Sequence, residues 1–143
     1  MAVSVYKTVK KIPVSSAYII RVVEAVLSHT KSKGDISVHC IGEKRMHRLN
    51  FEHRGKDRPT DVLSFAAREG EIIADDRTDI GDIFLCVPYI ARQAKDFEVS
   101  VREEFTRMLV HGVLHALGYD HITKKQAAIM FPLQETFVMT FVS

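Results

Sequence analysis

Residues Ser100 to His121 read SVREEFTRMLVHGVLHALGYDH, and the fold turns on this stretch. Ser100 followed by Glu103 matches a capping box, in which the hydroxyl takes an orphan helix amide and the carboxylate reaches back. From Met108 to Leu117 the chain is apolar on nearly every face except for His111 and His115, which predicts a buried central helix rather than a surface one. Gly118 supplies the left-handed stop.

Around this helix the chain must provide strands and further helices. Residues 2 to 9 alternate Val3, Val5 and Val9 with polar side chains, the period of a strand, and Ser15 or Ser16 can cap a helix carrying Ile19, Val22, Val23, Val26 and Leu27. Ile36, Val38 and Cys40 alternate as a second strand, and Gly42 leads into a short charged helix with Met46 and Leu49. Asn50 to Pro59 reads as a turn-rich loop. Thr60–Ala67 and Ile80–Val87 are strand-like, joined by a polar stretch from Arg68 to Asp79 that suits a hairpin with a mobile tip. Pro88 fits the first turn of a helix ending near Phe97. Thr123 to Gln126 opens a last helix that Pro132 should break or kink. Three or four strands mixed with helices predict a single α+β domain over residues 1–143, with a small mixed sheet and a histidine-bearing central helix.

Composition narrows the function classes. With 46% apolar and 27% charged residues the chain can bury one core, and 20 Lys+Arg against 18 Asp+Glu excludes a supercharged nucleic-acid coat while leaving room for a local basic patch. The N-terminus lacks the charged-then-apolar plan of a secretory signal, and no apolar run approaches the roughly 18 residues of a membrane span, so the expectation is a cytoplasmic protein with no membrane role. Cys40 and Cys86 lie in strand-like runs without a C-x-x-C spacing and read as buried free thiols.

His111, His115 and His121 form an H-x3-H-x5-H pattern. Two imidazoles four apart project from one helix face about a turn apart, and a residue beyond the Gly118 stop can swing back to complete three nitrogen ligands with a fourth position open. Metal binding also explains why imidazoles stand in an apolar helix, because burying them unpaired costs roughly 1–3 kcal/mol each. Three neutral nitrogens favour zinc, although imidazole also suits nickel, copper and iron. Ordinary core histidines are the bland alternative, and a closed structural zinc would need Cys40 or Cys86 delivered by the fold. Metzincin peptidases share the spacing but carry a glutamate after the first histidine as general base. Here that residue is Gly112, so peptide hydrolysis lacks its proton acceptor. Asp120 is either an outer partner orienting an imidazole or a turn former.

Three blocks now stand together in order: Leu49 to Phe65 (LNFEHRGKDRPTDVLSF), the strand start Gly81-Asp82-Ile83, and His111 to His121 (HGVLHALGYDH). They resemble the bacterial YbeY family, metal-dependent endoribonucleases of rRNA maturation. The histidine block is similar to the family's HG-x-LHL-x-GYDH, with Ala116 in place of a Leu. Ala66 stands where a Pro often follows SF, and Cys86 where a small hydroxyl residue is common. The resemblance implies a compact fold related to the zincins, one zinc held by His111, His115 and His121, and cleavage of single-stranded RNA at the 3′ end of small-subunit rRNA. It further implies ribosome quality control, a functional Arg54, and as partners the small ribosomal subunit with ribosomal proteins or an assembly GTPase, not DNA.

On this reading a metal either activates water or acts as a Lewis acid on a phosphate oxygen, and Arg54 is expected to meet charge on the equatorial phosphate oxygens. The segment Glu43 to Arg58 holds six Lys/Arg against three acids and can track an RNA backbone, or simply be a solvated helix face. Arg68 to Asp82 holds six acids against two arginines and should repel phosphate. His47 and His53 sit on the basic segment as possible proton carriers. Phe105, Met108 and Leu109 read as core, with no aromatic pattern of the RNA-recognition kind. Two rivals remain: a non-catalytic ribosome-assembly factor with a structural zinc, and a peptidase-like zinc hydrolase.

Overall fold

The structure is a computed structural model and describes residues 2–67 and 79–142. Its elements run β1 (Val3–Lys7), α1 (Ser16–His29), β2 (Asp35–Ile41), α2 (Glu43–Arg54), β3 (Val62–Ala66), β4 (Asp79–Cys86), α3 (Val87–Asp96), α4 (Val101–Ala116) and α5 (Lys124–Val142). The strands form one mixed sheet in the order β1-β2-β4-β3, parallel except for β3, which pairs antiparallel with β4 along one edge. The expected α+β class with a small mixed sheet is thus present.

Strand alternation sends two sets of side chains to opposite faces. Ile36, Val38 and Cys40 of β2 and Ile83 and Leu85 of β4 meet α1, α4 and α5 in the main core, where Leu109, Val110, Val113 and Leu114 are fully buried. Ile41, Leu63 and Cys86 face the other way and pack with Met46 of α2 in a smaller cluster. The two thiols are therefore free, buried and on opposite sides of the sheet, where no bridge can join them. Burial pushes the Cys40 thiol up to about 11.

The caps follow the sequence in most places. Ser15 Oγ accepts from the Tyr18 amide and Ser100 Oγ from the Glu103 amide. Glu103 turns its carboxylate to Arg107, so the capping box at α4 closes on one side, whereas Thr123 and Gln126 exchange both bonds at the start of α5. Two expectations need correction. The loop placed over Asn50–Pro59 begins only at Gly55, because Asn50 is buried in α2 and donates to the Arg58 carbonyl, while Gly55 takes the left-handed cap at φ 71°. Nor does Pro132 break the last helix: α5 continues through it to Val142. The polar connection between β3 and β4, including the expected mobile tip, lies outside the described residues from 68 to 78.

Gly112 sets how closely the central helix meets the sheet. A Cβ there would stand 2.7 Å from Ile83 Cγ2 and 3.1 Å from Val62 Cγ2, inside normal contact distance. Without it α4 lies flush on β3 and β4, and Ser64 Oγ donates to the Gly112 carbonyl at 2.8 Å. The same packing explains why no glutamate follows His111: that side of the helix has no room for one.

Candidate metal centre and its cleft

The end of α4 brings the three histidines together. Tyr119 N donates to the Leu114 carbonyl and Gly118 N to the His115 carbonyl, with Gly118 at φ 102°, the paired bonds of a Schellman turn. The chain reverses there, and the Asp120 carboxylate accepts from the His121 amide at 2.8 Å to hold the return. One ligand-capable atom from each of His111, His115 and His121 then lies within 4.8 Å of the others. Their ring centroids are 4.6 to 5.3 Å apart.

These imidazoles suit a cation in their neutral form. Burial holds the His111 pKa below the ordinary histidine value, against the Gln134 hydrogen bond that favours the charged form. Burial does the same to His115, and the neighbouring His111 adds to it. A neutral imidazole carries one N–H and one lone pair. At His111, Nδ1 stands 2.7 Å from Gln134 Oε1, a hydrogen bond in which the imidazole donates when its proton is on that nitrogen. A set of three imidazoles this close together fits a transition metal. Asp120 Oδ1 is 4.0 Å from His115 Nδ1, beyond hydrogen-bond length, so its firm role is the turn.

Beside the histidines runs a cleft of about 800 Å³, bounded by the β3 edge and the end of α4. Arg54, Asp61, Ser64, His111, His115 and Asp120 all line it. Arg54 stands on the last turn of α2, donates from Nη2 to the Ser64 carbonyl at 3.0 Å and places its guanidinium 4.8 Å from the Phe65 ring centroid. The fold thus brings the sequence-predicted arginine and two of the three histidines to one concavity. In the basic segment Asp57 is paired with His47 and Glu43 with Arg92, which occupies two of its three acids. His53 packs on the edge of Phe65.

Two features had escaped the sequence. Tyr6, His39 and Phe84, one from each of three neighbouring strands, stack at 5.0 and 4.2 Å, and Phe84 meets Phe65 of the fourth strand edge-on at 5.7 Å. Arg45 lies 5.6 Å from the Phe84 ring, so an aromatic row with guanidinium neighbours crosses the sheet. Each strand gives only one ring, which is why no local pattern betrays it. The second feature is a polar chain between α4 and α5: Arg107 bonds Glu103, Glu104 and Glu135, and Glu135 bonds Gln134. It needs the register of two helices, which spacing alone does not supply.

The comparisons with known proteins agree with one another. The family model described as Endoribonuclease YbeY matches residues 4–142. The Endoribonuclease YbeY of Lactobacillus helveticus is 41% identical over 109 residues, covering 70% of this chain and 63% of that protein. The relative of the same name from Shouchella clausii is 37% identical over 136 residues, covering 85% of each. The match to the Lactobacillus protein spans less than two thirds of its length. Among solved structures, the solution structure of TM1509 from Thermotoga maritima superposes with a TM-score of 0.67 at 26% identity, covering 97% of this chain and 88% of that one. Among the described residues no helix is long and apolar enough to cross a membrane.

Proposed function

This chain belongs to the YbeY family, and we propose that it is a zinc-dependent endoribonuclease that cleaves single-stranded RNA, acting in the cytoplasm on the 3′ end of small-subunit rRNA and in ribosome quality control. The observation that carries this reading is the convergence of His111, His115 and His121 beside a cleft that also holds Arg54. Zinc held by His111, His115 and His121 would supply either an activated water or a Lewis acid for the phosphodiester. The remaining work falls to the protein. Arg54, fixed by the Ser64 carbonyl and the Phe65 ring, presents a planar cation where negative charge grows on the equatorial oxygens. Lys44, Arg45 and Arg48 on α2 extend the same charge away from the cleft along the path of a backbone. The small ribosomal subunit, with a ribosomal protein or an assembly GTPase, delivers the substrate.

Peptide hydrolysis is disfavoured by Gly112, whose packing against Ile83 leaves no place for a general-base glutamate. The assembly-factor reading differs in outcome rather than in site: the same metal would brace the end of α4 without turnover. The test is cleavage of a single-stranded RNA spanning a small-subunit rRNA 3′ end by the wild type and by His115→Ala purified identically. Cleavage by the wild type alone, stopped by chelator, supports the nuclease. Equal cleavage by two folded proteins removes the triad from catalysis and moves the assembly factor ahead.

A further inference from the structure

His111 is tied to a chain of polar groups whose donor and acceptor roles are fixed from its far end. Arg107, one turn before His111 on α4, can only donate. Its Nε and Nη2 bond Glu135 Oε2 and Oε1, both at 2.9 Å, while the same guanidinium also bonds Glu103 and Glu104. Glu135, as a carboxylate, can only accept, and its Oε2 takes a bond from Gln134 Nε2 at 3.1 Å. An amide can be turned end for end with almost no change of shape, but here only one orientation lets nitrogen face the carboxylate. The carbonyl end of Gln134 must then face His111, and it does, with Oε1 2.7 Å from Nδ1. Gln134 is 5% exposed, so water has little access to substitute for either bond.

We propose that Gln134 and Glu135 are positioning residues that set the tautomer of His111, keeping the proton on Nδ1 so that Nε2 is offered as a lone pair to the metal. The free histidine side chain favours the opposite tautomer, with the proton on Nε2, which blocks ligation through that atom. An outer partner of this kind orients a ligand and raises its basicity, and losing one typically weakens metal binding 10–100-fold. Here the partner is an amide, and the carboxylate one step further out decides its direction. The proposal rests on reading the three histidines as a metal centre, but its first consequence is visible without metal.

The experiment uses the full chain, ¹⁵N-labelled and stripped of metal, at about pH 8, where an ordinary histidine is neutral. Imidazole nitrogen shifts report which nitrogen of His111 carries the proton, and zinc affinity is then measured by competition with a chromophoric chelator. The wild type should show the Nδ1–H form. Gln134→Met, similar in volume but without an acceptor, should shift His111 toward the Nε2–H form and weaken zinc 10–100-fold. Gln134→Glu, which retains an acceptor, should keep the Nδ1–H form. Glu135→Ala, at a half-exposed position, leaves the amide unlocked and should give a mixture of the two forms with a smaller loss of affinity. That variant carries the test if Gln134→Met does not fold. A purely structural role lowers the melting temperature with no change of tautomer; a folded Gln134→Met or Glu135→Ala with wild-type nitrogen shifts and zinc affinity overturns the proposal. If the wild type shows the Nδ1–H form yet binds no zinc, the tautomer assignment stands and the metal-centre reading fails.

Discussion

Ser64 and Gly112 are joined across the cleft floor: the serine hydroxyl donates to the glycine carbonyl at 2.8 Å and fastens the edge strand β3 to the helix that carries His111. Arg54 reaches the same serine through its carbonyl, so one residue of β3 ties α2 and α4 to the sheet.

Changes at this junction should be felt in stability first. Ser64→Ala removes one hydrogen bond and is expected to cost about 1 kcal/mol. Gly112→Ala puts a methyl group against Ile83 and Val62 and should cost about 1–3 kcal/mol by overpacking, read as a lower urea midpoint at unchanged slope. A Gly112→Ala protein as stable as the wild type would show that α4 can lift from the sheet freely.

Much of this arrangement was legible in the chain because it is local. The buried periodicity from Met108 to Leu117, the Gly118 stop and the spacing of three histidines are short-range facts, and they determine most of the candidate metal site. The end of α2 was misplaced for a local reason too: Asn50 reads as a turn former until the Arg58 carbonyl appears beside it, and Gly55 was the better stop signal. Pro132 failed as a breaker because a helix supported by tertiary packing, with Met130, Phe137 and Val138 buried, tolerates one missing amide. What could not be read was the meeting of elements. Gln134 finds His111 across 23 positions, and Tyr6 finds His39 and Phe84 only once three strands are in register.

The Arg107 cluster makes a prediction about acid. The Arg107 guanidinium holds the Glu135 carboxyl below its usual range, so the unfolded chain binds more protons than the folded one as pH falls. That contribution is complete above the unfolded glutamate value of about 4.3 and disappears as pH drops through the lower folded value. Glu135 is 43% exposed, so solvent screening limits its share to less than about 1 kcal/mol. Glu135→Gln should accordingly lose that share at neutrality and nothing in strong acid, so that stability falls less steeply with acid than in the wild type. Arg107→Leu is a different matter, because it leaves the Glu104 carboxylate, 1% exposed, with the neutral Gln93 amide but without its cation, and should cost about 3–5 kcal/mol. Denaturation of both variants across the acid range separates the two effects.

Metal removal should loosen the end of α4 and the turn to α5, since His111 and His115 stand before that turn and His121 after it. Ligand-linked stabilisation at a hundredfold excess over the dissociation constant is about 2.7 kcal/mol, which corresponds to roughly 5–10 °C of melting temperature for a chain of this size. Adding zinc to stripped wild type is expected to raise Tm by that amount and to leave His121→Ala nearly unmoved. Equal gains in both proteins would place the zinc elsewhere.

Arg54 separates catalysis from folding and from metal binding. It lines the cleft and supplies no metal ligand, so Arg54→Ala should leave zinc stoichiometry intact while lowering RNA cleavage about 10²–10³-fold, the usual loss for one preorganised donor. Arg54→Lys keeps the charge but loses the planar fork and the stacking on Phe65, and it should recover only a small part of the rate. If the arginine acts by binding alone, the loss appears in KM and shrinks at saturating RNA. If it meets charge that develops during the reaction, kcat falls and saturation does not restore it. The geometry favours the second outcome, because the Ser64 carbonyl and the Phe65 ring hold the guanidinium in place before any substrate arrives. Single-turnover cleavage at saturating enzyme, compared across the wild type and both variants, reads that difference directly.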